Sequence, residues 1–235
     1  MNGAKLFLPV FAILLTIYLL IINKKVLIGI CCIDERVNEL YQTVDALQKE
    51  NIIYNKDIIR VFRKSDVKCK KVIPYLEVPD YDIPKNKRHN IENLVIKRNA
   101  ILSYAKQNNY DNLIFIDSDI IIEWYTLFYL MIGHIFADIV IAPYNVRWAS
   151  MTPVLGYDNP PRIELAKTGL LPFYRCHVGG MGCTSILLKS PKIPSSFSQG
   201  SILGIEGEDI GFFMEARKNG AVVASTSWHI VNHIK

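Results

Sequence analysis

The arrangement of short apolar runs is the feature that most restricts how this chain can fold. Val26 to Ile33 is a continuous apolar run, which is typical of a strand buried on both faces. Glu39 to Glu50 has the spacing of an amphipathic helix, and Ile58 to Phe62 predicts a second short strand. Asn93 to Gln107 predicts another helix, which is followed by a strand from Asn112 to Ile116. This alternation predicts an α/β fold with a mixed, mostly parallel sheet flanked by helices.

The second half of the chain predicts more helices and strands, separated by irregular stretches. Helices are expected over Trp124 to Phe136 and Glu208 to Asn219, and strands over Ala137 to Pro143, Gly182 to Leu188 and Ala221 to Val231. Lys70 to Pro84 and Asn145 to Cys176 are rich in loop-forming residues. No internal repeat interrupts this pattern, so residues 26–235 are expected to form one domain.

A long uncharged run precedes the first strand. Leu6 to Ile22 has no charged residue and is bracketed by Lys5 and by Lys24 and Lys25. As a helix it would be about 25 Å long, close to a bilayer core of about 30 Å, so we expect residues 1–25 to be a transmembrane signal-anchor. Its length suits a thin internal membrane of the endoplasmic reticulum or Golgi type. A cleaved signal peptide is the alternative, and the flanking lysines do not decide which side of the membrane holds the domain.

Composition and charge exclude several classes of protein. Half of the 235 residues are hydrophobic, so a substantial core can form. The net charge of +5 is too small, and too evenly spread, to indicate a nucleic-acid-binding protein. The five cysteines include no CxxC pair, so a zinc site is not predicted.

Two aspartates one residue apart follow the strand Asn112 to Ile116. Burying carboxylates at the end of an apolar strand is costly unless something uses them. In an extended chain Asp117 and Asp119 point to the same side, and paired hard oxygen ligands suit Mg²⁺ or Mn²⁺ together with substrate phosphates. A second pair, Asp80 and Asp82, lies between prolines with no preceding strand and is interpreted as a solvated turn.

Other candidate residues lie at the predicted strand ends or near them. Ligands bind α/β sheets at the carboxyl ends of the strands, where Asp34, Asp66 and Asp117 are expected. Each of the remaining candidates also has an ordinary structural explanation: a surface cation for Arg98, a turn for Gly179 and Gly180, favourable helix-start charges for Glu208 and Asp209, and a structural strand histidine for His229.

The order of these motifs resembles that of glycosyltransferases with the GT-A fold. The motifs are "IGICCIDERVNEL", "KRNAILSYA", "LIFIDSDI", "VGGMGCTSILL", "GEDIGFFMEARKNG" and "SWHIV", and they cover the chain from about Val26 to its end. Within that superfamily the chain is similar to family 2 transferases, and "RNAILSYA", "FIDSDI" and "ADIVIAPYNVRW" are similar to the Anp1-type mannosyltransferases of the fungal Golgi. The resemblance implies a Rossmann-like fold that binds a nucleotide-diphospho-sugar.

The resemblance also implies a role for each candidate residue. Asp119 would be the principal metal ligand, Asp117 would contact the metal or the donor ribose, and His229 would complete the metal shell, with His233 as the alternative. The nucleotide-sugar would be bound by Asp34, Arg36, Asp66, Arg98, Asp117, Gly179 and Gly180. Glu208 and Asp209 would act near the anomeric carbon or the acceptor hydroxyl.

The expected reaction is a hexose transfer that depends on Mn²⁺ or Mg²⁺. A GDP- or UDP-sugar would donate the hexose to a hydroxyl of a glycan, glycoprotein or glycolipid, and the bound metal would neutralise charge on the departing nucleotide. If the reaction inverts configuration, a carboxylate must act as general base, for which Asp209 is the first candidate and Glu208 the second. If it retains configuration, the same carboxylates would position the acceptor.

Two other functions are weighed against this one. A haloacid-dehalogenase-type phosphatase also joins a strand to an Asp-x-Asp motif with Mg²⁺, but its nucleophile ends the first strand of the core, whereas Asp117 ends a later one. A catalytically silent, membrane-tethered scaffold is the second alternative. Such a scaffold would be expected to lose its motifs, and here the aspartate pair, Glu208–Asp209 and His229 are all present.

Overall fold

The computed structural model describes most of the chain after Asn23. The described residues are 19, 23–32, 36–50, 53, 55–65, 68, 74–79, 91–123, 125–144, 154–158, 161–165, 172–227 and 231–233. The predicted anchor, apart from Leu19 and residues 23–25, lies outside these residues, as do Asp34, Asp66, the pair Asp80 and Asp82, and His229. In the part of the chain that is described, no helix is both long enough and apolar enough to cross a membrane.

A sheet of eight strands forms the centre of the domain. In chain order its strands are β1 (Val26–Cys31), β2 (Lys56–Arg63), β3 (Tyr75–Val78), β4 (Asn112–Ile116), β6 (Ile139–Ile141), β9 (Phe173–Arg175), β10 (Cys183–Leu187) and β13 (Val223–Thr226). In space they follow the order β3-β2-β1-β4-β10-β6-β13-β9. Six of the strands run in one direction, whereas β10 and β9 run against their neighbours. The predicted α/β class with a mixed, mostly parallel sheet is confirmed.

Among the described residues, three smaller pairs of strands lie outside this sheet. They are β7 (Val154–Asp158) with β8 (Pro161–Leu165), β11 (Gly200–Ile202) with β12 (Ile205–Gly207), and β5 (Ile120–Ile121) with β14 (Asn232–His233). The β5–β14 pair brings the last described residues of the chain beside the residues that follow Asp119.

In the described part of the chain, four helices cover the two faces of the sheet. They are α1 (Val37–Lys49), α2 (Ile91–Gln107), α3 (Thr126–Gly133) and α4 (Glu208–Lys218). Leu40 of α1 and Leu127 of α3 share one apolar cluster with Ile28 of β1. Ile101 of α2 and Phe213 of α4 belong to the other cluster, together with Leu27, the residue of β1 that precedes Ile28. Alternate residues of β1 therefore serve opposite faces, as expected for a strand that is buried on both sides.

The structure corrects three parts of the sequence interpretation. The stretch expected to be irregular, 70–84, contains the edge strand β3, and the loop-rich stretch 145–176 contains the hairpin β7–β8 and the edge strand β9. The single strand expected from Ala221 to Val231 is also wrong, because β13 ends at Thr226 and β14 belongs to a different sheet. His233 lies in β14, and His229 lies outside the described residues.

Candidate active site

The Asp117–Ser118–Asp119 turn is fixed by contacts on both sides. The amide N–H of Asp117 donates to the carbonyl of Gly182 at 2.8 Å, and the amide of Ile120 donates back to the carbonyl of Asp117 at 3.1 Å. From α1, the hydroxyl of Thr43 lies 3.1 Å from the carbonyl oxygen of Ser118 and 2.9 Å from that of Ile120. Because Thr43 is fully buried, this turn is held firmly at the carboxyl end of β4.

Asp119 forms an ion pair with Arg36, which lies directly before α1. The Asp119 side chain is buried, whereas the Arg36 side chain is 37% exposed. The arginine was predicted to line a nucleotide pocket, and it does lie beside the aspartate pair. Its partner in this structure is the carboxylate that was predicted to be the principal metal ligand.

Arg98 connects the helix α2 to the two acidic motifs. Its guanidinium forms an ion pair with Glu208 at the start of α4 and lies 3.4 Å from Asp117. The same group lies over the ring of Phe115, 5.7 Å from its centre. Burial alone would lower the pKa of Arg98, but Glu208 and Asp117 outweigh it and raise the pKa above its usual value. Arg98 is therefore a permanent positive charge whose observed partners are carboxylates.

Two of the carboxylates hold their protons more tightly than usual. Burial raises the pKa of Asp117 to about 6, with Asp119 and Glu208 adding to the rise and Arg98 opposing it, although a third of the Asp117 side chain (34%) still meets solvent. Burial likewise raises the pKa of Asp209 to about 6, and the neighbouring Glu208 contributes. Such shifts are common where carboxylates are gathered for binding or catalysis.

Asp209 differs from Glu208 in its surroundings. Glu208 is buried and paired with Arg98, whereas Asp209 is only partly buried. One Asp209 oxygen accepts a hydrogen bond of 2.8 Å from the amide of Ile210 in the first turn of α4. Among the described residues, none forms an ion pair with Asp209, so its carboxylate is the more available of the two.

The Gly-rich loop packs against Asp117 and Tyr144. A side chain on Gly180 or Gly182 would overlap the Tyr144 ring, and one on Gly182 would also overlap the Asp117 carboxylate. The hydroxyl of Tyr144 accepts a hydrogen bond of 3.2 Å from the amide of Gly182. Gly179 is buried in the same loop. At Gly180 and Gly182, glycine therefore allows the close approach of the loop to Tyr144 and to the aspartate turn.

Two residues of this region were missed from the sequence. Lys97 is buried, and its ammonium group donates to the carbonyl of Cys32 at 2.5 Å, at the carboxyl end of β1. Burial is the main cause that raises the pKa of Tyr144, and the nearby charges of Asp117 and Asp209 raise it further. The sequence signal for Lys97 was its position next to Arg98, and Tyr144 had none beyond following a predicted strand.

A complete metal shell is not found among the described residues. No group of three His, Cys, Asp or Glu side chains in the described part of the chain is arranged to hold a metal ion. His229 is not described, but the backbone of His233 pairs with Ile120, directly after Asp119. The residues directly after the aspartate pair and the last described residues of the chain are therefore neighbours in space.

Solved structures with a similar fold include proteins in complex with UDP or a UDP-sugar. No protein-family model matches this chain, and no curated protein matches it by sequence. GalNAc-T7 with UDP, GalNAc and Mn²⁺ matches at 13% identity and a TM-score of 0.56, over 90% of this chain and 44% of the other. TarS 1–349 of S. aureus in complex with UDP-GlcNAc matches at 14% identity and a TM-score of 0.53, over 90% of this chain and 58% of the other.

These similarities establish the fold. The domain has the GT-A fold, as the order of its motifs implied. At 13–14% identity they do not extend to a donor or an acceptor. The chain spans about half the length of the two proteins.

Proposed function

We propose that this chain is a glycosyltransferase that moves a hexose from a nucleotide-sugar to a hydroxyl group, with help from Mn²⁺ or Mg²⁺. The observation that carries the proposal is the fixed turn at the end of β4, which gathers Asp117 and Asp119 beside Glu208 and Asp209. In an α/β sheet of this kind, ligands bind at the carboxyl ends of the strands, where this turn lies.

The charges of this cluster suit a divalent cation. Three of the four carboxylates form ion pairs with guanidinium groups: Asp119 with Arg36, and Asp117 and Glu208 with Arg98. The fourth, Asp209, lies close enough for the charge of Arg98 to affect its pKa. Mutual repulsion contributes to the raised pKa of Asp117, and a cation bound there would relieve it. Two carboxylates with substrate phosphates are a sufficient site for Mg²⁺ or Mn²⁺. The ion would stabilise the negative charge that builds up on the departing nucleotide.

The donor would lie over the same edge of the sheet. Arg36 is partly exposed beside Asp119, so its guanidinium can turn from that carboxylate towards a diphosphate. Asp34 and Asp66 remain candidates for the nucleotide, and His229 and His233 for a further metal ligand. UDP is the nucleotide in both solved structures above, which makes UDP-sugars the first donors to test, followed by GDP-sugars.

Asp209 is the proposed general base if the reaction inverts configuration. A base must be partly free of ion pairs and have a pKa near the working pH. Burial raises the pKa of Asp209 to about 6 and no described residue forms an ion pair with it, whereas Glu208 is paired with Arg98. Glu208, fixed by Arg98, would hold the start of α4 in position beside Asp117. In a retaining reaction Asp209 would instead orient the acceptor hydroxyl, which belongs to a glycan, glycoprotein or glycolipid.

The test is metal-dependent nucleotide release by the full chain in detergent. UDP- and GDP-sugars are offered with Mn²⁺, and released nucleotide is measured with and without chelator. Asp119→Asn should abolish the release, whereas Asp45→Asn, at an exposed carboxylate on α1, should not change it. The proposal fails if no nucleotide-sugar gives metal-dependent release, or if Asp119→Asn is as active as the wild type. Release of inorganic phosphate from simple esters would support a phosphatase instead.

We also propose that residues 1–25 anchor the domain in an internal membrane. The support is the uncharged run from Leu6 to Ile22, followed within three residues by the first strand. Extraction of the full chain from membranes by alkaline carbonate would contradict an integral anchor, and retention in the membrane pellet supports it.

A further inference from the structure

The chain enters the sheet at the amino ends of its parallel strands. Together these strand ends form one edge of the sheet, opposite the edge formed by the carboxyl ends. Only Asn23, Lys24 and Lys25 separate the uncharged run from β1. Lys25 is joined to the start of β4, because its amide donates to the Asp111 carboxylate at 2.8 Å and its carbonyl accepts from the Asp111 amide at 2.8 Å. A membrane that holds the uncharged run must therefore lie against this edge.

Lysines and exposed apolar side chains occur together at this edge. Lys189 pairs with Asp111, before β4, and Lys192 lies 3.3 Å from Asp138, before β6. The two lysines are exposed, whereas their carboxylate partners are largely buried. Each pair therefore directs a cation outwards and leaves little negative charge at the surface.

The turn between α3 and β6 protrudes from the same edge. Phe136 is 62% exposed and Ile135 is 52% exposed, which is unusual for adjacent large apolar residues. His134, the preceding residue, lies close enough to Lys24 for that charge to affect it. Burial lowers the pKa of His134 to about 4, so the turn carries no histidine charge at neutral pH.

We propose that this edge docks on the headgroup layer of an anionic lipid bilayer. The docking face is defined by Lys24, Lys25, Ile135, Phe136, Lys189 and Lys192. Adjacent apolar side chains that enter the interface, with lysines around them, are the composition that binds anionic lipid surfaces. The three-residue connection to the uncharged run leaves no room for another partner between this face and the membrane. The proposal concerns orientation: it rests on the membrane anchor proposed above and does not depend on the reaction catalysed.

Docking in this way turns the candidate active site away from the lipid. The aspartate turn follows the carboxyl end of β4, and a strand of five or six residues is about 17–20 Å long. The acceptor hydroxyl must therefore reach beyond the headgroup layer by roughly that distance. A glycan or polypeptide that projects from the membrane, or a soluble acceptor, meets this condition.

The experiment measures contact between Phe136 and the lipid. Full-length Phe136→Trp is reconstituted in vesicles of phosphatidylcholine with phosphatidylserine, and tryptophan fluorescence is quenched by lipids brominated on the acyl chain. The signal from the three native tryptophans is removed by subtracting the wild type. The matched control is Leu203→Trp, at an equally exposed apolar residue (58%) on the hairpin that leads into Glu208.

We expect the quenching of Trp at position 136 to be several-fold greater than that at position 203. Lys189→Gln with Lys192→Gln should reduce the phosphatidylserine dependence of this quenching, and Lys49→Gln on the exposed face of α1 should not. Equal quenching at the two positions, stronger quenching at position 203, or a chain that does not remain with the vesicles would each overturn the proposal. Circular dichroism of each variant confirms that it is folded.

Discussion

Replacing Arg98 with methionine removes the guanidinium that joins α2 to Glu208 and Asp117. Arg98 and Glu208 side chains are only 4% and 7% exposed, so the variant leaves a buried carboxylate without its partner. Removing one member of a buried pair costs about 3–5 kcal/mol. The Nε–H of Arg98 is buried without an acceptor among the described residues, and losing that donor returns about 1 kcal/mol. The expected loss in the free energy of unfolding is therefore about 2–4 kcal/mol.

A double-mutant cycle tests whether this cost comes from the stranded carboxylate. The variants are Arg98→Met, Glu208→Gln and the two combined, and each is unfolded by urea in detergent while circular dichroism is followed. In the double variant, position 208 carries no charge, so Arg98→Met no longer leaves a buried carboxylate without a partner. The double variant should therefore lose at least about 1 kcal/mol less stability than the two single losses added together. Simple additivity would refute the reasoning. Lys49→Met, which breaks an exposed pair on α1, is the control and should cost less than about 0.5 kcal/mol.

The remaining predictions concern Gly211, Asp209 and Tyr144. Gly211→Ala should lower the free energy of unfolding, measured by urea titration, by about 1–3 kcal/mol. Alanine normally favours a helix, but here its side chain would overlap the backbone of β11 and of the residues before it. For Asp209, the rate parameter kcat/KM should fall as pH drops through about 6, and Asp209→Asn should lower kcat about 10²–10⁴-fold. The same substitution should weaken the pH dependence to that of Asp117 alone, whose pKa is also about 6. Since folding raises the pKa of Asp209, this residue makes the protein less stable as pH rises from about 4 to 6, and Asp209→Asn should remove a change on the order of 1–3 kcal/mol. Tyr144→Phe should cost about 1 kcal/mol and speed hydrogen exchange at Gly182, whose amide loses its acceptor.

The strand that carries the aspartate pair was predicted to the residue because its local signal is unambiguous. Asn112 to Ile116 is apolar, buried on both faces and bounded by polar residues, so periodicity and burial agree. The strands that were missed lack such a signal. β3 has four residues, lies at the edge of the sheet and is flanked by prolines, which are features of loops as much as of edge strands.

The gathering of the acidic motifs could be expected from the sequence, but their connections could not. Arg98 and Glu208 are 110 positions apart, and no local rule pairs an arginine on one helix with a glutamate at the start of another. The ion pair between Arg36 and Asp119 likewise depends on where α1 meets the turn after β4. Tyr144 was missed for the same reason, because its partners come from β4 and the Gly-rich loop.

The position of β10 in the sheet has a consequence for how the chain is made. β10 lies between β4 and β6 and bonds to both, yet Cys183 is synthesised long after Ile116 and Ile141. Until Leu187 has emerged from the ribosome, one edge of β4 has no neighbour, and such edges are prone to pair with other chains. Closure of the sheet is thus a late, long-range step, which slows folding. A chain truncated before Cys183 would keep both aspartates of the turn and lose the wall against which that turn is held.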